Sequence, residues 1–268
     1  VDAPAQGDVM DVLVVDGLHK AFGGNRAVDG VDFALAQGEL LALIGPNGAG
    51  KSTVFNLLSG QLPADRGAIR LAGQELLGLP ARGICRLGVG RTFQIAETFG
   101  SLSVLENVQM ALLASDRRVF RFWRRAGAHR REDALQLLQD VGMASQAATS
   151  CADLSYGDVK RVELAMAMAG KPRLLLMDEP TAGMAPAERL ELMALTRRWV
   201  DRTGGSVLFT EHSMDVVFAF ADRIVVLAEG RVIANGKPQD VRQDARVQQV
   251  YFGSGKSFET AAQQAPAA

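Results

Sequence analysis

Apolar positions along this chain follow two patterns, short unbroken or alternating runs and longer helical stripes, and each predicts a different element. Residues 12–15, 31–35 and 40–44 are short apolar or alternating stretches separated by glycine and aspartate turns, as in strands opening a sheet. Residues 174–177 and 207–210 are unbroken apolar runs too short for helices, which predicts strands buried on both faces of a parallel sheet. Residues 52–60 carry a helical pattern directly after a glycine-rich loop. From 102 to 169 the pattern is almost wholly helical, with an amphipathic stretch at 132–141 and a helix capped at Ser155. Residues 224–235, centred on Glu229-Gly230, predict a β-hairpin. Strands separated by helices make the chain α/β, with a helical subdomain at about 95–170 inserted in a domain spanning 12–253. Residues 1–11 and 254–268, rich in Ala, Gln, Gly and Pro without a period, are expected to be flexible tails.

Composition narrows the class without naming a chemistry. With 48% hydrophobic and 22% charged residues among 268, the chain suits a soluble globular protein rather than a disordered one. A net charge of -1 gives no global attraction to nucleic acid. Cys85 and Cys151 lie far apart, outside any metal-ligand spacing, and are expected to be reduced thiols of a cytosolic protein. No apolar run approaches the roughly 18 residues that a membrane-spanning helix needs, and the N-terminus lacks the pattern of a signal peptide. A role at a membrane is therefore expected from the cytoplasmic side.

Two segments carry phosphate chemistry. Gly45-Pro46-Asn47-Gly48-Ala49-Gly50-Lys51-Ser52-Thr53 matches the phosphate-loop pattern and lies after a predicted strand and before a predicted helix. Its glycines let backbone N–H groups close around phosphates, Lys51 reaches the β- and γ-phosphates, and Ser52 coordinates Mg²⁺. Leu174 to Met177 form a strand ending in Asp178 and Glu179, where carboxylates can face a ligand beyond the strand's C-terminal end. In this reading Asp178 holds Mg²⁺ and Glu179 orients and polarises the attacking water. Leu154-Ser155-Tyr156-Gly157-Asp158 is open to two readings: a plain capping box, with Ser155 as N-cap and Asp158 three residues on, or a helix N-terminus that binds a γ-phosphate.

The order of these motifs resembles that of ABC transporter ATPases over about 12–253: phosphate loop, Gln94, the Leu154 to Asp158 loop, Asp178-Glu179, then His212. The resemblance implies a P-loop NTPase with a RecA-like core, an antiparallel β subdomain and an inserted helical subdomain, hydrolysing MgATP. It implies that Phe22 stacks on adenine and that His212 contacts the γ-phosphate. Gln94 would help ligate Mg²⁺ and couple the site to membrane subunits. The signature loop, with Ser155, Tyr156, Gly157 and Asp158, would complete the ATP site of a second ATPase subunit, either another copy or a paralogue. Three positions depart from the family: Tyr156 and Asp158 replace a glycine and a glutamine, and Ala185 replaces an aspartate after Glu179.

Arg91 to Gln94, Leu154 to Gly157, Thr181 to Pro186 and the run Val250-Tyr251-Phe252-Gly253 look, more finely, like ATPases of high-affinity branched-chain amino acid importers. That likeness implies two transmembrane permease subunits, an extracytoplasmic solute-binding protein, and a peripheral place on the cytoplasmic face of the inner membrane. Nucleic acid is not an expected partner, although an exporter ATPase, or a related ATPase acting on nucleic acid or ribosomes, is the alternative class. Arg117, Arg118, Arg121, Arg124, Arg125, Arg130 and Arg131, interleaved with Phe120, Phe122 and Trp123, are expected to be a solvated helical face, with a membrane-side dock and then a nucleic-acid patch as the lesser readings.

Overall fold

The computed structural model describes residues 10–92, 98–115 and 130–252. Strands β3 (Leu40–Ile44), β7 (Leu174–Asp178) and β8 (Ser206–Thr210) are buried at every position. They lie inside a six-stranded sheet of order β10-β9-β3-β8-β7-β6, with β6 at Val89–Thr92, β9 at Arg223–Ala228 and β10 at Arg231–Gly236. All its neighbours pair in parallel except β9 and β10, which form the expected hairpin. A second, antiparallel sheet has the order β2-β1-β4-β5, from β1 (Asp11–Phe22), β2 (Asn25–Ala36), β4 (Arg66–Leu71) and β5 (Gln74–Glu75).

Successive side chains of a strand point to opposite faces, so the six-stranded sheet separates two cores. Ala42, Ile44, Leu175, Met177, Val207 and Phe209 face one core, shared with helices α3 (Val104–Ser115), α4 (Arg131–Asp140), α5 (Tyr156–Met168) and α6 (Pro186–Thr203). Leu41, Leu43, Leu174, Leu176 and Leu208 face the other, closed by the antiparallel sheet and α1 (Lys51–Leu58). On α3 the buried Val104, Leu105, Val108 and Leu112 follow helical spacing, as do Ala134 and Leu138 on α4. Arg202 on α6 donates to both carboxylate oxygens of Asp140 at 2.6 Å, joining the last turns of α6 and α4.

Two strands run longer than their apolar patterns predict. Register shifts at Val15/Leu18, Leu18/His19 and Lys20/Ala21 break the alternation of β1, and a bulged strand loses the period that would reveal it. Strand β6 also escapes the pattern, because Gly90 stands where a Cβ would meet the Ala167 carbonyl at 2.8 Å. Among the described residues no helix is long and apolar enough to cross a membrane. Of the basic stretch, only Arg130 and Arg131 lie among the described residues.

Asn107 on α3 is fully buried; its amide donates to the carbonyls of Phe99 and Ser103 at 3.1 and 3.0 Å, and its oxygen accepts from the Phe99 N–H at 2.8 Å. It thus fixes the chain that enters the helical part. Asn107→Ala is expected to lower unfolding stability by about 1–3 kcal/mol, since it strands buried polar groups. Urea denaturation would show this as a lower midpoint with an unchanged slope.

Candidate active site

The phosphate loop joins β3 to α1 in backbone geometry that needs glycine. Gly45, Gly48 and Gly50 have φ of 157°, 81° and 104°. A Cβ on Gly50 would lie 2.3 Å from the Ala27 carbonyl, and one on Gly45 would lie 2.2 Å from that of Leu227. Lys51, the first residue of α1, is 7% exposed and donates to the carbonyls of Gly45 at 2.6 Å and Pro46 at 3.1 Å. Burial lowers its pKa below the usual lysine value, while Glu179 and Asp178 pull it back up. Ala49 is buried, whereas Asn47 and Ser52 are exposed in the same loop and first turn.

The two carboxylates stand at the end of β7, and β8 lies between β7 and β3, so all three strands deliver their C-terminal ends to one rim. Asp178 Oδ1 accepts from the Thr210 hydroxyl at 2.8 Å, and Oδ2 lies 3.7 Å from Arg91 Nη2. Glu179 has φ of 48°, a left-handed conformation that costs about 1–3 kcal/mol for a non-glycine residue and recurs at functional sites. Its N–H donates to the Thr210 hydroxyl at 3.0 Å, and its Oε1 lies 2.9 Å from His212 Nε2. The structure therefore brings together Lys51, Asp178, Glu179 and His212.

Phe22 ends β1 and is 49% exposed, with Lys20 Nζ 5.6 Å from its ring centroid. Its hairpin partner β2 carries Ala27 against Gly50, which sets an open aromatic face on the strand pair that braces the phosphate loop. The Leu154 to Asp158 loop is not part of this cluster. Ser155 caps α5, accepting from the Asp158 N–H at 3.2 Å, while the Asp158 carboxylate accepts from the serine hydroxyl rather than from the Ser155 N–H, so the expected capping box is formed on one side only. Gly157 packs on Glu188 and the Tyr156 ring on Gly183. Gln94 lies outside the described residues.

Four residues at the rim received no site role from the sequence. Arg91 donates to Asn56 Oδ1 at 3.0 Å, Gln61 Oε1 at 2.9 Å and Ser59 Oγ at 2.5 Å, tying α1 and the turn after it to β6 beside Asp178. Thr210 bridges Asp178 and Glu179. Buried Glu211 accepts from the Thr181 N–H and hydroxyl at 2.9 and 2.7 Å, holding the turn after Glu179. Tyr251, on α9 (Ala245–Phe252), has a largely buried phenol whose pKa burial raises, the neighbouring Gly45 backbone partly offsetting that rise. The signal available for Glu211 was its place between a buried strand and His212.

Residues 28–182 match the model of the ABC transporter family. The chain is an ABC transporter ATP-binding subunit. This ABC ATPase also matches, at 231–257, a model described as branched-chain amino acid ATP-binding cassette transporter. It is 38% identical over 249 residues to the high-affinity branched-chain amino acid transport ATP-binding protein LivG of Escherichia coli strain K12, covering 90% of this chain and 98% of that one. It is 38% identical over 250 residues to the corresponding BraF of Pseudomonas aeruginosa, with the same coverage.

Among solved structures, the ADP conformation of MJ1267, an ATP-binding cassette of an ABC transporter, superposes with a TM-score of 0.83 at 28% identity, covering 91% of this chain and 99% of that one. The dimeric cassette MJ0796 superposes with a TM-score of 0.74 at 25% identity, covering 84% and 98%. The RecA-like P-loop fold expected from the sequence is thus the fold found, and the ABC ATPase binds and hydrolyses nucleotide within a transporter complex.

The donor chemistry at the rim fits Mg²⁺. A buried carboxylate, Asp178, and a hydroxyl in the first turn of α1, Ser52, are hard oxygen donors. Such sites hold Mg²⁺ with one or two protein oxygens, leaving the remaining positions to phosphates and water.

Proposed function

We propose that this chain powers an importer of branched-chain amino acids, working at the cytoplasmic face of the membrane beneath two permease subunits served by an extracytoplasmic solute-binding protein. The likeness to LivG and BraF along nearly their whole length supports this solute class, as does the match at 231–257. Those relatives favour import over export, or over action on nucleic acid.

The observation that carries the chemistry is the Glu179–His212 contact at the same rim as buried Lys51 and Asp178. In this reading the Gly45 to Thr53 loop wraps the phosphates, Lys51 pairs with the β- and γ-oxygens, and Phe22 takes the adenine face. Ser52, Asp178 and Gln94 would hold Mg²⁺. Bound there, the ion would neutralise charge on the β- and γ-phosphates. Glu179 accepts a proton from the attacking water and His212 fixes that carboxylate while facing the γ-phosphate. Ser155 and Gly157 act on the ATP of a second subunit, where the α5 N-terminus favours an anion.

The ATPase rate of purified protein is expected to rise faster than linearly with protein concentration. Ser155→Ala is expected to lower that rate about tenfold or more without changing nucleotide affinity at low protein concentration. A linear dependence, or an unchanged rate in the variant, counts against the shared site. Import is tested by uptake of labelled leucine in cells lacking this gene: restoration by wild type, and not by a Lys51→Ala copy, is the expected result.

A further inference from the structure

Signature-loop chemistry in this chain departs from a plain anion site. The Ser155 hydroxyl donates to Asp158 Oδ2 at 2.9 Å while its oxygen accepts from the Asp158 N–H at 3.2 Å. The serine proton is thereby directed to a carboxylate of its own chain. A second carboxylate, that of Glu188 on α6, packs against Gly157, where a Cβ would meet its Oε1 at 3.0 Å. Gln146 Nε2 lies 3.5 Å from Asp158 Oδ2 and adds a neutral donor only. The nearby cations are engaged elsewhere: Lys160 with Glu163 at 3.0 Å, Arg161 with Glu191 at 2.6 Å, and Arg189 with the Met184 carbonyl at 2.7 Å. Neither Asp158 nor Glu188 forms an ion pair among the described residues.

An aspartate at the third position of a helix stabilises the free helix, because it faces the positive end of the helix dipole, and here it also accepts the hydrogen bond of the capping serine. That same charge opposes a phosphate at that helix end. We propose that Asp158 sets the threshold for closing the ATP sandwich: docking on the ATP of a second copy of this chain must move the Ser155 hydrogen bond from Asp158 to the γ-phosphate, against the Asp158 charge. Asp158 is then a positioning residue acting through Ser155, and it restrains hydrolysis in the free subunit. The inference rests on the shared-site reading above, and its test separates the two.

The measurement is sedimentation velocity of the Glu179→Gln protein in saturating MgATP, with and without Asp158→Asn. Asparagine keeps an oxygen acceptor for the serine proton and removes the charge. The dimer is expected to form at about tenfold lower protein concentration in the Asp158→Asn background, with that gap narrowing at high salt, because a charge that is only partly buried is screened. Affinity for a fluorescent ATP analogue, measured on the dilute monomer, is expected to be the same in both, which also reports that both are folded. Equal or weaker dimerisation after Asp158→Asn, or a gap indifferent to salt, overturns the role of Asp158 and leaves the shared site standing. Absence of an ATP-dependent dimer in both backgrounds removes self-association through the signature loop, and this inference with it.

Discussion

Glu179→Gln protein is expected to bind MgATP as well as the parent or better, and to hydrolyse it at least about a hundredfold more slowly. The substitution keeps the size of the side chain and its capacity to meet His212 Nε2, now 2.9 Å from the carboxylate. An amide, however, cannot take a proton from water. It also removes one negative charge from the rim that Asp178 and Glu179 share with Lys51, which lowers repulsion toward the phosphates. The left-handed backbone at Glu179, φ 48°, is held by the Thr210 hydroxyl and by the Glu211 brace on Thr181, so the exchange leaves the turn in place. Single-turnover hydrolysis measured beside equilibrium binding separates the two effects. An undiminished rate would remove Glu179 from the chemistry.

Lys51→Ala is expected to weaken ATP binding on the order of a hundredfold, and hydrolysis falls with it. The side chain is buried, its ammonium reaches only loop carbonyls and the field of two acids, and alanine leaves the loop with no cation for the phosphates. Because burial lowers the Lys51 pKa, the ammonium is lost at a lower pH than for an ordinary lysine. ATP affinity of the parent therefore begins to decline with rising pH before exposed lysines titrate, and that decline is absent in Lys51→Ala. Calorimetric titration with ATP across neutral and alkaline pH checks both. Identical isotherms for parent and variant would contradict the assignment of the phosphate loop.

The phosphate loop was legible in the sequence because its work is done by contiguous backbone. Gly45 and Gly50 sit where any side chain would strike Leu227 or Ala27, so the chemistry forces a string of glycines that can be read directly. Asp178 and Glu179 were legible because a fully buried strand ending in two acids has few bland explanations. Arg91, Thr210 and Glu211 were not, since each acts by tertiary reach. The guanidinium of Arg91 crosses from β6 to α1, and the Glu211 carboxylate turns back to Thr181, contacts that no local period announces. The antiparallel sheet was only half legible, because the register shifts of β1 erase its alternation. For Ser155 the structure shows the N-cap itself, formed at the exposed end of the helix.

The double-sided sheet has a consequence for how such a protein can change. Leu174 and Leu175 are neighbours in the chain but sit in different cores, as do Leu176 and Met177. Side chains that share no packing partners tend to contribute independently, whereas those in one packed cluster are coupled. The sheet thus acts as a partition across which substitutions accumulate with little cross-talk. Lineages can rework the helical side, residue by residue, while the compartment that supports the phosphate loop keeps its inherited packing.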